Sequence, residues 1–481
     1  MPKQLTLPRI WSEPIRRAWQ LPQELTVSQW ADRFRILDPL TSSEPGQWQT
    51  DRTPYLRGVM DSFTNPLVER ITLMFSTQVG KTESFYNMLG YAIDQDPGPA
   101  LIVMPREPDC KTVSKRRIIP MLRLSPALQK HLSNLGDDTA QMEIALNRMI
   151  IYFAGANSPA ALSGKPVRYL FLDETGKYPK FSGEEADPIK LATERTRTFW
   201  NRKIVDCSTP TIADCYVNRE YEKSDKRKYY VPCPLCGGYQ VLLKDQIKVP
   251  ETERDPERIQ ALKIAWYECV YCKGKISDWN KPKMLRAGVW LPETVKVDSK
   301  GKIPEKIDFP QTSHVGFHLN ALYSPWLTFS EILAEWFRSH DRIETLMNFI
   351  NSWLAEIWHE KVEDTKPDRL KVLCCDYNKG TVPEGGILLA GGVDVQKDYF
   401  VVAIRAHGAK QESWLVLEEQ VHTWEEVEKI MFIDRYPSEI PGIEPFSVHL
   451  TCIDTGYRTN EVYDICRKYP GISRAIKGKD Q

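Results

Sequence analysis

The sequence predicts an α/β protein of two separate α/β domains with a cysteine-bearing module between them, and three observations carry that reading. From Ile71 to about Pro210, short apolar β-rich runs alternate with helical segments, a pattern that implies a mainly parallel sheet covered by helices. Two Cys-x-x-Cys pairs then interrupt the alternation between residues 229 and 277. Near Gly386 a second set of strands begins, with Pro383–Gly386 as a natural boundary.

The elements follow in order. Residues 1–50, rich in Trp, Pro and charge, read as a partly helical leader. "RITLMFS" is a strand, "KTESFYNMLGYAI" a helix and "PALIVMP" a buried strand. "DCKTVSKRRIIPMLRL" is a basic helix, and "RMIIYFAG", "VRYLFLDE" and "KIVDCSTP" are three further strands. Together, residues 51–228 form one domain and 229–277 a cysteine module. Residues 278–383 read as an irregular and helical linker, with one Trp-faced helix over 329–358. Residues 384–481 open with two strands joined by a hairpin, then "ESWLVLEEQ" and "VHLTCIDTGY".

Bulk composition excludes several classes. The 481 residues carry 64 basic and 64 acidic side chains, so no global basic field marks the chain for nucleic acid. No run approaches the roughly 18 apolar residues of a membrane span, and the first residues lack a signal-peptide core. Eleven cysteines without a secretion signal suit a reducing compartment, and a cytoplasmic protein is expected.

"FSTQVGKTES" carries the first chemistry. A strand ending at Phe75, a turn, and a helix from Lys81 is the setting of a phosphate-binding P-loop, although the first glycine of that signature is replaced by Phe75. Backbone N–H groups of Ser76, Thr77, Gln78, Val79 and Gly80 would surround phosphates, with Lys81 as a point charge and Thr82 as a hydroxyl for Mg²⁺. "VRYLFLDE" supplies the complement: Asp173, ending a buried strand, is placed to hold Mg²⁺ through water, and Glu174 to polarise an attacking water. Ordered GKT and LDE motifs about ninety residues apart point to hydrolysis of a nucleoside triphosphate. In "DCSTPT", the hydroxyls of Ser208 and Thr209 are candidates for sensing the terminal phosphate, or simply a Ser/Thr/Pro turn. The basic helix with Lys111, Lys115, Arg116 and Arg117 reads equally as a face tracking a DNA backbone and as a solvated helix face.

Cys233-Pro-Leu-Cys236 and Cys269-Val-Tyr-Cys272 lie 32 residues apart. Two such knuckles complete a tetrahedral four-thiolate site, which suits structural Zn²⁺ and leaves no open catalytic position. In the last domain, Asp394 sits within an otherwise apolar strand and is expected to be buried, where a lone carboxylate is costly. Asp454 ends a later strand. Carboxylates on the first and fourth strands fit a ribonuclease-H-like nuclease working with two Mg²⁺ or Mn²⁺ ions. Asp398, Glu418 and Glu419 are weaker candidates.

The order of these motifs resembles the large terminase subunit of tailed bacteriophages, the lambda-type (GpA) branch. "SQWADRFRILDPLTSSEPGQWQTDRTPYLRGVMD", "STQVGKTES", "NSPAALSGKPVRYLFLDE", "DCSTPT", "VGFHLNALYSPW", "GGVDVQ" and "CIDTGYRTNEVY" carry the resemblance. It implies a P-loop (ASCE, RecA-like) ATPase with a zinc-ribbon-like insertion, followed by a ribonuclease-H-like nuclease. It implies a packaging motor that uses ATP to move double-stranded DNA through a portal into a procapsid, cuts concatemeric DNA, and works with a small terminase subunit, as a homo-oligomeric ring on the portal, in the host cytoplasm. Two departures set expectations. Ser76-Thr77-Gln78 lacks the arginine of many terminase P-loops, so Arg106, Arg195, Arg197 or a neighbouring subunit is expected to supply it. The family's nuclease uses a third carboxylate further along, so the nuclease domain is expected to be incomplete at Gln481 unless Glu418 or Asp464 substitutes. The competing readings are a helicase-like ATPase of repair or recombination, which needs a second RecA-like half, and a non-catalytic zinc-ribbon DNA-binding protein. Intact Lys81, Thr82, Asp173 and Glu174 argue against the latter.

Overall fold

The structure, a computed structural model, describes residues 24–477 apart from 133–138, 141, 183–186, 306, 308, 360–373, 375 and 410–411. The chain divides into two compact units, Met1–Glu360 and Lys361–Gln481.

The first unit is built on one large sheet. Its parallel centre comprises β1 (Arg70–Phe75), β2 (Ala100–Met104), β3 (Ile150–Gly155), β4 (Tyr169–Asp173), β5 (Lys203–Ser208), β6 (Arg227–Pro232) and β7 (His314–Leu319). They lie in the order β6-β7-β1-β5-β4-β2-β3, every neighbouring pair parallel. Every residue of β2 and of β4 is buried, as expected of strands covered on both faces. Strand β5 separates β1 from β4, so the ends of those two strands face each other across one strand's width.

Three sequence expectations are corrected here. Within the stretch 278–383, of which 360–373 lie outside the described residues, the described part before residue 360 is not a linker. Its strand β7 pairs with β1 from His314–Arg70 to Leu319–Phe75 and extends the sheet on that side. The short strand Val289–Leu291 pairs antiparallel with β6, and Trp290 stacks on Phe75 with ring centroids 6.2 Å apart. "VGFHLN" is too short to separate from a loop by periodicity; its long-range pairing decides its state. Nor is 329–358 one helix: Phe329–Ser339 ends before a second helix, Ile343–Asn348, and Thr345 Oγ1 donates to Ser339 O where the chain turns.

The leader is the third, for its described part; residues 1–23 lie outside the described residues. Helix α1 (Val27–Phe34) starts at a Thr26/Gln29 capping box and buries Val27, Trp30 and Ala31, the i, i+3, i+4 stripe of an amphipathic helix. It packs on α2 (Lys81–Gln95), the helix that follows β1. Trp30 Nε1 donates to Asp94 at 3.0 Å, and the Trp30 ring fills the space over Gly90, where a Cβ would lie 2.4 Å from it. Residues 27–34 therefore belong to the core of the first unit.

The second unit has its own core and a five-stranded sheet. Strands β8 (Leu388–Val395), β9 (Phe400–His407), β10 (Ser413–Val421), β11 (Val448–Asp454) and β12 (Ser473–Ile476) lie in the order β10-β9-β8-β11-β12. The first three form an antiparallel meander, and β8–β11 and β11–β12 are parallel. Four of these strands follow the sequence reading; β12, in "ISRAI", is an addition to it.

Candidate nucleotide and metal sites

The turn after β1 is shaped for an anion. Gln78 and Gly80 both have left-handed φ, 57° and 85°, the kind of backbone from which anion-binding nests are made, just before the start of α2. Gly80 is required twice over: its φ disfavours a side chain, and a Cβ would lie 2.9 Å from Leu56. Two of the N–H groups expected to meet phosphate are committed elsewhere: Ser76 N donates to Leu319 O and Thr77 N to Ser352 O, both at 2.9 Å, which straps the loop to the region that the sequence reads as a linker. Ser76 and Val79 are fully buried beneath the loop.

Lys81 is buried, 8% exposed, and makes no ion pair or hydrogen bond through its ammonium among the described residues. It lines a cleft of about 680 Å³ together with Thr77, Gln78, Thr82, Asp173 and Glu174. A buried unpaired ammonium is costly unless an anion meets it. Burial pushes the Asp173 carboxyl above its usual range, while the Cys207 thiol and Lys81 pull it back. Asp173 Oδ1 accepts from Cys207 Sγ and from the Glu174 N–H, both at 3.0 Å. Its Oδ2 has no protein donor among the described residues, the arrangement a divalent cation would use. Glu174 has φ 53°, ψ 43°, a left-handed conformation that costs a non-glycine residue on the order of 1–3 kcal/mol. Strain held at an acid beside the cleft is the mark of a positioned group; in this state Glu174 pairs with Lys177 at 2.5 Å.

The four cysteines converge. Their sulfurs all lie within 4.8 Å of one another, with Cys233–Cys272 and Cys236–Cys269 at 3.9 Å. A tetrahedron with Zn–S bonds of about 2.3 Å has edges of about 3.8 Å, so the spacing fits Zn²⁺. The two knuckles repeat the same turn: Gly237 N donates to Cys233 O at 2.9 Å and Lys273 N to Cys269 O at 3.1 Å, with left-handed Gly237 and Lys273. The first knuckle follows β6 directly, so the module grows out of the large sheet. Cys233, Cys269 and Tyr267 share one core with Phe75 and Trp290.

In the second unit, Val393 of β8 lies opposite Ile453 of β11, which places Asp394 beside Asp454 at adjacent strand ends. Asp394 is exposed, contrary to the expectation of a buried carboxylate: β8 alternates, and its side chain falls on the open face. Asp394 Oδ2 accepts from Gln396 Nε2 at 2.9 Å, and Asp454 Oδ2 from Gly456 N at 3.0 Å. Among the described residues the cysteines are the one group of three or more metal-ligand side chains, so no third carboxylate joins the pair. Glu418 and Glu419 lie on the edge strand β10, where Glu419 pairs with Lys379 at 2.8 Å. Asp464 pairs with Arg467 on its own helix, and the backbone carbonyl of Asp398 lies 3.4 Å from His422 Nδ1.

Comparison with known proteins gives the same two-part order, with a different boundary. Residues 42–290 match the family "Phage terminase large subunit gpA, ATPase domain", and residues 314–481 match "Terminase large subunit gpA, endonuclease domain". The chain belongs to the gpA-type phage terminase large-subunit family. It carries that family's ATPase and endonuclease domains. It is 23% identical to the terminase large subunit of Escherichia phage lambda over 95% of this chain and 74% of that protein. With the large subunit of Enterobacteria phage P21 it shares 24% identity over 82% of this chain and 62% of that protein. Among solved structures, a large terminase from a thermophilic bacteriophage aligns over 90% of this chain and 83% of its own, at 10% identity and a TM-score of 0.35. The Thermus phage P74-26 large terminase ATPase domain aligns over 63% of this chain and 92% of its own, at 12% identity and a TM-score of 0.34.

The endonuclease match of this terminase begins at residue 314, yet β7 is part of the ATPase sheet. Of the other residues singled out by sequence, Ser208 does not line the cleft. Its Oγ accepts from Gly176 N at 2.9 Å and donates to Thr209 O at 2.8 Å, holding the turn that carries Glu174. The expected arginines are not among the residues lining the cleft: Arg106 pairs with Asp109 at 3.1 Å, Arg195 donates to Ser163 O at 3.0 Å, and Arg197 pairs with Glu194 at 3.5 Å. Arg116 and Arg117 do line it. Sequence reasoning places these two on a possible DNA face; Pro120, four residues after Arg116, is the available signal that the helix changes course there.

Proposed function

We propose that this terminase hydrolyses ATP at the cleft between α2 and β4 to drive double-stranded DNA into a procapsid, and cuts concatemeric DNA with the Asp394–Asp454 unit. The observation that carries it is the meeting of a buried, unpaired Lys81 and Thr82 with Asp173 and Glu174 in one cleft. The β- and γ-phosphates would lie against the turn before α2, their charge met by Lys81 and by the helix N-terminus. Mg²⁺ held by Thr82 and Asp173 would supply further neutralisation of the phosphate oxygens. Glu174, rotated off Lys177, would orient water against the γ-phosphorus and accept its proton, while the bond to the bridging oxygen breaks and ADP leaves with the electron pair. A second cavity of about 720 Å³ shares Thr77, Gln78 and Gly80 with the cleft and is lined by Trp48, Trp326 and Leu327, so it offers apolar room for the base.

In the second unit, two carboxylates side by side on an exposed face suit Mg²⁺ or Mn²⁺ against a phosphodiester. Zn²⁺ at the four cysteines would be structural. The small terminase subunit, the portal, a homo-oligomeric ring and the host cytoplasm complete the reading. Among the described residues no helix is long and apolar enough to cross a membrane.

Lys81→Ala and Glu174→Gln test the ATPase. The first should lose nucleotide binding and turnover together; the second should bind ATP and fail to cleave it. Normal turnover in Lys81→Ala would falsify the assignment.

A further inference from the structure

The turn between Phe75 and Gly80 has no arginine, and Arg106, Arg195 and Arg197 do not line the cleft. We propose that Arg116 is the arginine that touches the terminal phosphate of the bound nucleotide, from within the same chain. The proposal rests on the reading of the cleft as an ATP site.

Three observations place it there. Arg116 lines the cleft with Lys81, Thr82, Asp173 and Glu174. It lies in a widened turn, Ser114–Ile118, between the helix Glu107–Val113 and the helix from Ile119. Pro120 has no N–H to give to the carbonyl of Arg116, and the helix opens into i→i+5 geometry one turn before it, as such bulges do at functional sites. The third observation separates Arg116 from its neighbour. Arg117 is occupied: it donates to Thr41 O at 3.2 Å and lies 4.0 Å from Glu83, which also holds the buried Arg35 at 3.1 Å. Arg116 forms no ion pair or hydrogen bond among the described residues. The cleft thus holds one arginine already engaged by Glu83 and Thr41, and one exposed guanidinium free to swing onto a ligand.

The chemistry needs such a group. As water attacks the γ-phosphorus and the bond to the β–γ bridging oxygen breaks, negative charge spreads over the equatorial and leaving oxygens. A planar guanidinium can bond two of these oxygens at once, which an ammonium cannot. Lys81 then serves the bound ground state and Arg116 the state in which the bond breaks.

The competing use of Arg116 is a phosphate of DNA, on the same basic helix as Lys111 and Lys115. The test is Arg116→Ala in the full chain, with Arg116→Lys, Lys111→Ala and Lys81→Ala beside it. Equilibrium affinities for ADP and for a non-hydrolysable ATP analogue are measured with kcat and with DNA affinity across a salt series. The expected result for Arg116→Ala is a kcat about a thousandfold lower, ADP affinity within about twofold of the parent, and analogue affinity about tenfold weaker, the size of one charged hydrogen bond. Arg116→Lys should recover only part of kcat, and Lys111→Ala should retain all of it. An unchanged kcat in Arg116→Ala overturns the proposal. Equal loss of ADP and analogue affinity overturns it too, since the side chain then shapes the cleft as a whole. A DNA salt slope reduced by about one in both Arg116→Ala and Lys111→Ala, with kcat intact, assigns the residue to DNA instead. If Lys81→Ala also hydrolyses ATP normally, the ATP-site reading itself has failed; if Lys81→Ala is dead and Arg116→Ala is not, only this inference has.

Discussion

The two candidate active sites of this chain are built in opposite ways. The cleft of the first unit is assembled from buried groups: Lys81 and Asp173 are nearly inaccessible, and Glu174 is held in a strained backbone conformation. The pair in the second unit is more open, with Asp394 exposed on its strand and Asp454 half-buried beside it. On the assignments proposed above, the difference follows from what each ligand demands. A nucleotide's phosphates are small and can be enclosed, so buried charges act at low dielectric and act strongly. A duplex cannot be enclosed by one strand end, so carboxylates meant for a phosphodiester must stand open. The buried groups of the first site are in place before its ligand arrives, and the second leaves most of its metal coordination to be completed.

Four experiments break or sharpen that contrast. The largest effect is expected from crossing the two sites. Asp173→Asn should lower ATP turnover by about a hundredfold or more while leaving metal-dependent nicking of DNA intact, and Asp394→Asn should do the reverse. A variant that silences both activities would show that the units do not work as separate chemistries.

Metal removal comes next. The cysteine module shares its core with Phe75 and Trp290, so stripping zinc should lower the unfolding temperature of the first unit by about 10 °C or more and leave the second unit's transition in place. Calorimetry of Cys269→Ser, with zinc counted per chain, provides the measurement; an unshifted first transition would show that the module is an appendage.

Gly90→Ala tests the leader. The added methyl would lie 2.4 Å from the Trp30 ring, so a loss of about 1–3 kcal/mol in urea unfolding is expected. Combined with Trp30→Ala, the clash term should vanish.

The smallest effect is in pH dependence. Thr72 Oγ1 lies 2.9 Å from both Asp206 and His314. Burial raises the Asp206 carboxyl to about 6 and lowers the His314 imidazole to about 4. Between pH 4 and 6 the folded chain binds more protons than the unfolded chain at Asp206 and fewer at His314. Falling pH therefore stabilises through the first and destabilises through the second, and the slopes oppose. Asp206→Asn should leave only the histidine slope, so the first unit should lose stability from about pH 6.5 to 4 more steeply than the parent does.

Much of this was legible in the sequence because it is local. The turn after Phe75, the Asp-Glu pair after a buried strand, and the spacing of two Cys-x-x-Cys knuckles depend on neighbours within a few residues. The strands with all-apolar runs were readable for the same reason. The failures share the opposite cause. "VGFHLN" becomes a strand only because β1 offers its edge to it, and residues 27–34 become core only because Gly90 leaves room for Trp30. Asp394 looked buried because its strand is apolar, but exposure depends on which face of the sheet is covered.

The sequence by itself therefore determined the chemical vocabulary of this protein: a GKT turn after a strand, an acidic strand end, two Cys-x-x-Cys knuckles and two carboxylates on separate strands. The tertiary structure alone decided how those parts are joined. It set β5 between β1 and β4, strapped the phosphate loop to Ser352, fused the cysteine module to the ATPase sheet, and turned Arg116 rather than Arg106, Arg195 or Arg197 toward the cleft. The physical reason is that motifs are fixed by backbone geometry over a few residues. Strand order, burial and the direction of a long side chain are fixed by contacts between segments far apart in the chain.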